Sequence, residues 1–72
     1  MVKVYSSESC MKCRMVKKIL KSRNIEFLDI NVKEDEEAIT YLKNKGFTSL
    51  PVVESNDLIF SGLDMPKLNK IS

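Results

Sequence analysis

The chain has no histidine and no tryptophan, and only two prolines, two glycines and two cysteines in 72 residues. The missing histidine removes the commonest acid–base side chain and the commonest metal ligand, which excludes triad hydrolases and histidine-ligated metal enzymes. Two cysteines are too few for a disulfide-stapled scaffold, which at this size carries about two to four bridges. No apolar run approaches the roughly eighteen residues of a membrane span. The opening Val2-Lys3-Val4-Tyr5 lacks the charged, apolar and cleavage regions of a secretory leader, so no signal peptide is expected. There are no repeats, low-complexity tracts or linkers, and the length suits one domain over residues 1–72. Chemistry must therefore come from cysteine, carboxylate, lysine or backbone.

Hydrophobic periodicity divides the chain into seven elements. Val2 to Tyr5 alternates as a strand. Ser6-Ser7-Glu8-Ser9 is a polar turn offering several helix N-caps. From Cys10 to Arg23, Met11, Met15, Val16, Ile19 and Leu20 fall on one helix face. Ile25 to Ile30 reads as a second, largely buried strand. A second helix from Asp35 to Lys45 has acids in its first turn, bases in its last and Gly46 as its stop. Its inward face is Ala38, Ile39, Tyr41 and Leu42. Leu50 to Glu54 and Leu58 to Phe60 are strands joined by a turn at Ser55-Asn56-Asp57. A last short helix, capped by Ser61 or Asp64, runs to Ile71. A strand–helix–strand unit needs a crossover between parallel strands, and the hairpin must join the same sheet to bury Val52, Val53, Ile59 and Phe60. The order β-α-β-α-β-β-α thus predicts an α/β fold with a four-stranded mixed sheet and helices on both faces.

Both cysteines lie in Cys10-Met11-Lys12-Cys13, at the junction of the first strand and first helix. Free N–H groups and the positive dipole end at a helix N-terminus stabilise a thiolate at Cys10 and lower its pKa. Cys13, one turn further on the same side, is within reach of a mixed disulfide on Cys10. Lys12 and Arg14 add positive charge, and Glu8 opposes it. A structural bridge over so short a loop stabilises little, and a closed zinc site needs ligands from another subunit. Thiol exchange, which needs neither histidine, cofactor nor metal, is the better reading; inert thiols and a metal- or partner-binding module are its rivals. Pro51 opens a strand, where a proline is tolerated without a donor, and pattern alone favours a trans bond after Leu50.

Together with the cysteine motif, Leu50-Pro51-Val52-Val53 and Phe60-Ser61-Gly62-Leu63 resemble the glutaredoxin branch of the thioredoxin fold. Within it the chain is most similar to the NrdH-redoxins, over nearly its whole length, including Lys17-Lys18 and Gly46-Phe47. The resemblance implies that Cys10 attacks, Cys13 resolves and Pro51 is the cis-proline that offers Leu50 to a substrate strand. It also places Met11, Lys12, Ser61, Gly62 and Asp64 around the substrate. It implies a small cytoplasmic monomer, recharged by thioredoxin reductase and supplying ribonucleotide reductase or other disulfide proteins. Three positions depart from that pattern: Lys12 for a glutamine, Phe60 for a tryptophan, and Leu63-Asp64-Met65 for Phe-Arg-Pro. Asp64 resembles the acid with which glutathione-using glutaredoxins hold the tripeptide's amino group, whereas Ser7 and Lys12 stand where those proteins carry lysine and tyrosine. Glutathione thus stands as the alternative electron donor.

Half of the twelve Lys and Arg residues lie between Lys12 and Arg23, with no acid among them. A solvated helix face explains them, with docking of an acidic partner as the next reading. Nucleic acid is disfavoured, since net charge is only +2 and no aromatic residue interleaves with the bases. Met11, inside the cysteine motif, is expected to be exposed as a partner contact.

Overall fold

The computed structural model describes residues 2–56 and 58–71. Its elements are β1 (Val2–Ser6), α1 (Met11–Ser22), β2 (Phe27–Asn31), α2 (Glu36–Asn44), β3 (Val52–Glu54), β4 (Ile59–Ser61) and α3 (Met65–Asn69). The strands form one sheet in the order β2-β1-β3-β4. β1 runs parallel to β2 and antiparallel to β3, and β3 runs antiparallel to β4. This is the four-stranded mixed sheet that the element order predicts, and the thioredoxin fold that the family resemblance implies. Asp57, in the expected hairpin turn, lies outside the described residues.

Period-two alternation splits the core between the two faces of the sheet. Val4, Val53 and Phe60 point to one face and bury Val16 and Leu20 of α1 and Leu68 of α3. Tyr5 and Val52 point to the other and bury Val32 with Ala38 and Leu42 of α2. Adjacent residues of one strand thus hold helices on opposite faces. A one-residue slip of β1 would carry Val4 and Tyr5 to opposite faces and mismatch each with the helix packed there, which fixes its register.

Two helix ends set the path of the chain toward the cysteine end of the sheet. At the end of α2, Gly46 adopts φ +88° and donates to the Lys43 carbonyl, while Phe47 donates to the Leu42 carbonyl at 2.9 Å. That pair of bonds is a Schellman cap, which needs a left-handed residue and so favours glycine. Asn24 (φ 58°) does the same after α1, with Ile25 donating to the Leu20 carbonyl at 3.0 Å. Asparagine is the non-glycine residue best suited to that conformation.

Three expectations need correction. β2 is an edge strand, not a largely buried one: Leu28 is 48% exposed, and Phe27 and Ile30 are half-buried. β1 takes the central place because it pairs on both sides, which leaves β2 only one neighbour. Met15 is half exposed, because the inward stripe of α1 is Cys13, Val16 and Leu20, turned away from it. The cap of α1 is not a serine of the preceding turn; it is Cys10 itself. Of the two caps expected for α3, the structure uses Asp64.

On the α2 face the Tyr41 hydroxyl donates to the Glu54 carboxylate, and its ring stacks on Tyr5 with centroids 6.0 Å apart. The bond to Glu54, followed by burial and the Glu54 charge, pushes the Tyr41 pKa up to about 12. Burial, then Glu54 and Asp35, raises Tyr5 as well. A phenol with a raised folded pKa favours the fold while protonated. Its contribution is full below the ordinary value near 10 and is lost as pH climbs through the folded value. Phenolate absorbance in Glu54→Gln should therefore develop at lower pH than in the wild type. The wild type should also lose more stability than Tyr41→Phe above pH 10. Identical phenol titrations in wild type and Glu54→Gln would contradict the Tyr41–Glu54 bond.

Candidate functional site

The local sequence places a sulfur atom at the start of a helix. Cys10 is extended (φ −94°, ψ 110°), and its Sγ accepts a hydrogen bond from the Cys13 amide at 3.1 Å. A helix N-terminus has backbone donors with no partner inside the helix, and here the Cys10 sulfur satisfies one of them. No acid stands in the first turn of α1 to weaken the positive end. The two cysteines are joined in a disulfide with Cα atoms 5.2 Å apart. They differ in access: Cys10 is half-buried, whereas Cys13 is fully buried on the inward stripe of α1. Met11 is 68% exposed between them, and Lys12 is exposed beside it.

Strand register brings the other candidate residues to the same end of the sheet. Tyr5, near the end of β1, pairs with Val52 at the start of β3, and Val52 pairs with Ser61 at the end of β4. Pro51 therefore enters the sheet where β1 leaves for Cys10. The Leu50–Pro51 bond is cis, the isomer the family resemblance implies and pattern alone disfavours. The Pro51 carbonyl accepts from the Gly62 amide at 2.7 Å, with Gly62 in the left-handed region at φ +83°. That contact ties the Ser61-Gly62 turn to the proline segment. Asp64 follows, capping α3: its Oδ1 accepts from the Lys67 amide at 3.3 Å, and its Oδ2 lies 3.9 Å from Lys67 Nζ. Topology thus gathers Cys10, Cys13, Met11, Lys12, Leu50, Pro51, Ser61, Gly62 and Asp64 at one end of the fold.

Reading the sequence alone misses a polar anchor beneath α1. Ser6, buried, donates from its hydroxyl to Asp29 Oδ1 at 2.9 Å and accepts from Lys17 Nζ at 3.3 Å. Lys17 also pairs with Asp29 Oδ2 at 3.1 Å. One turn past Cys13, this network pins α1 to β1 and β2. Both charges are partly solvated, so it fixes position more than it adds stability. Twelve positions separate Lys17 from Asp29, and only the parallel β1–β2 register brings them together. An apolar hollow lined by Val32, Ile39, Leu42, Phe47 and Leu50 adjoins the proline segment on the α2 side. Among the described residues, no three histidine, cysteine or acidic side chains cluster as a metal site would need.

A cysteine pair at a strand-to-helix junction and a cis-proline thus share one end of this sheet, and the chain as a whole is similar to known proteins. The glutaredoxin family model matches residues 2–59. A glutaredoxin-like protein NrdH from Lactococcus lactis is 40% identical over 72 residues, covering 100% of both chains. The solved NrdH-redoxin from Escherichia coli superposes with a TM-score of 0.96 at 32% identity, covering 99% of this chain and 93% of that one. A wheat glutaredoxin structure matches with a TM-score of 0.77 at 26% identity, over 96% of this chain and 68% of that one. The chain belongs to the glutaredoxin family and is an NrdH-like thiol–disulfide oxidoreductase with Cys10 and Cys13 as its cysteine pair.

Proposed function

We propose that this protein is a dithiol electron carrier that reduces protein disulfides, with Cys10 as the attacking and Cys13 as the resolving cysteine. The observation that carries this assignment is the contrast between a half-buried Cys10, whose sulfur caps α1, and a fully buried Cys13. The Cys10 thiolate attacks one sulfur of a substrate disulfide. That bond breaks, a Cys10–substrate bond forms, and the departing sulfur leaves as a thiolate. Deprotonated Cys13 then attacks Cys10 Sγ, which releases the second substrate thiolate and leaves the Cys10–Cys13 disulfide. Two electrons have passed to the substrate.

The remaining site residues hold the substrate in this reading. Leu50, ahead of Pro51, presents backbone to the substrate strand. Met11 gives an adaptable apolar contact, Lys12 supplies positive charge, and the Ser61-Gly62 turn closes the far side. The carboxylate of Asp64 is engaged by Lys67 in the cap of α3, which supports a helix-capping role over capture of a glutathione amine. That favours thioredoxin reductase over glutathione as electron donor. The E. coli relative, described as having a thioredoxin-like activity profile, supports the same choice. Ribonucleotide reductase is the proposed acceptor, by likeness to the NrdH proteins, and the protein acts as a cytoplasmic monomer.

Cys10→Ser should abolish disulfide reduction, whereas Cys13→Ser should accumulate a mixed disulfide visible by mass spectrometry. Full activity in Cys10→Ser would overturn the choice of nucleophile. In side-by-side turnover, NADPH with thioredoxin reductase should regenerate the protein faster than glutathione with its own reductase. A clear glutathione preference would instead make the protein a glutathione-dependent glutaredoxin.

A further inference from the structure

We propose that the outer face of α1 is a recognition surface for protein disulfides flanked by acidic residues, so that the protein selects its substrates by charge. This proposal rests on the reductase reading above and names the substrate class for the same site. Arg14, Lys18 and Lys21 are exposed and follow the i, i+4, i+7 spacing of one helical row. With Lys17 and Asp29 they line a shallow depression between α1 and β2. Asp29 is the acid in that depression, and Lys17 already holds it at 3.1 Å. Among the described residues Lys18 and Lys21 form no ion pair, so the row keeps an uncompensated positive charge. The neighbouring row carries Met11 and Met15, 68% and 50% exposed, giving an apolar strip beside the cations.

Position relates this face to the chemistry. α1 starts at the Cys10 sulfur, and Lys21 lies eleven residues further on, about 16 Å along the axis. An extended segment covers that distance in roughly five residues. Acidic side chains within about five positions of a substrate disulfide would therefore meet Arg14, Lys18 and Lys21 while the disulfide meets Cys10. The acidic first turn of α2, Glu36 and Glu37, and its cap Asp35 belong to the helix on the opposite face of the sheet. That asymmetry gives the protein a charge direction that turns the cysteine-bearing helix toward an acidic partner.

The test uses three synthetic peptides of equal length, each with one internal disulfide flanked by Glu, Gln or Lys. Pre-reduced protein is mixed with each under single-turnover conditions, and rates are normalised to those with dithiothreitol, which absorbs intrinsic charge effects on the disulfide. At low salt the normalised rate should be at least about tenfold higher for the Glu than for the Lys peptide, and high salt should narrow the gap. Lys18→Glu/Lys21→Glu should reverse that order and leave the Gln peptide rate unchanged. Equal normalised rates for all three peptides, or an unchanged order in the double variant, would overturn the proposal. Retention of duplex DNA by the wild type and not by the double variant would give the face to nucleic acid and also overturn it. Failure of the wild type to reduce any peptide would count instead against the reductase reading.

Discussion

The first backbone donors of α1 need an acceptor, and the acceptor is the sulfur of Cys10, 3.1 Å from the Cys13 amide. This bond joins the folding problem to the chemical one. A helix that starts with an unsatisfied N-terminus is weakened, and a thiolate is a better acceptor there than a thiol. The capping position therefore favours ionisation of Cys10 without a histidine, which the chain does not have. Placing Cys10 at the cap also fixes Cys13. Three residues further on, it falls on the stripe with Val16 and Leu20 that packs into the sheet, so Cys13 is fully buried while Cys10 is only half-buried. One geometric decision assigns different environments to two identical side chains.

The rest of the fold keeps that helix end in place. Val16 and Leu20 pack against Val4, Val53 and Phe60, and the Ser6–Lys17–Asp29 network pins the helix one turn below Cys13. β1 sits in the middle of the sheet, so the chain leaves it beside the point where Pro51 enters β3. The Gly62–Pro51 hydrogen bond then draws the end of β4 to the same place. Segments far apart in sequence reach one end of the sheet because three strand pairings share one register.

Much of this arrangement is legible in the sequence. The alternation of Val2 to Tyr5, the helical spacing of Val16, Ile19 and Leu20, and Gly46 at a helix stop give element type and order, because each follows from local periodicity or backbone freedom. The position of the cysteine motif between a strand and a helix is legible for the same reason. Properties set by strand order are less so. The apolar run around Phe27 and Leu28 looks like an interior strand, and only the central position of β1 turns it into an edge. Met15 satisfies a helical pattern that Cys13 displaces, because a buried thiol counts as apolar in packing while its spacing is read first as chemistry. The Lys17–Asp29 pair is invisible until β1 and β2 are aligned.

If the Cys10 sulfur caps α1 as a thiolate acceptor, its acidity reports the cap directly. The ultraviolet absorbance of the thiolate, followed against pH in the reduced protein and in the Cys10→Ser and Cys13→Ser variants, separates the two sulfurs. The Cys10 transition should lie well below the ordinary thiol value of about 8.5. It should persist in Cys13→Ser and vanish in Cys10→Ser. A Cys10 transition at or above that ordinary value, or a low transition that survives removal of Cys10, would contradict the central role given to the helix cap.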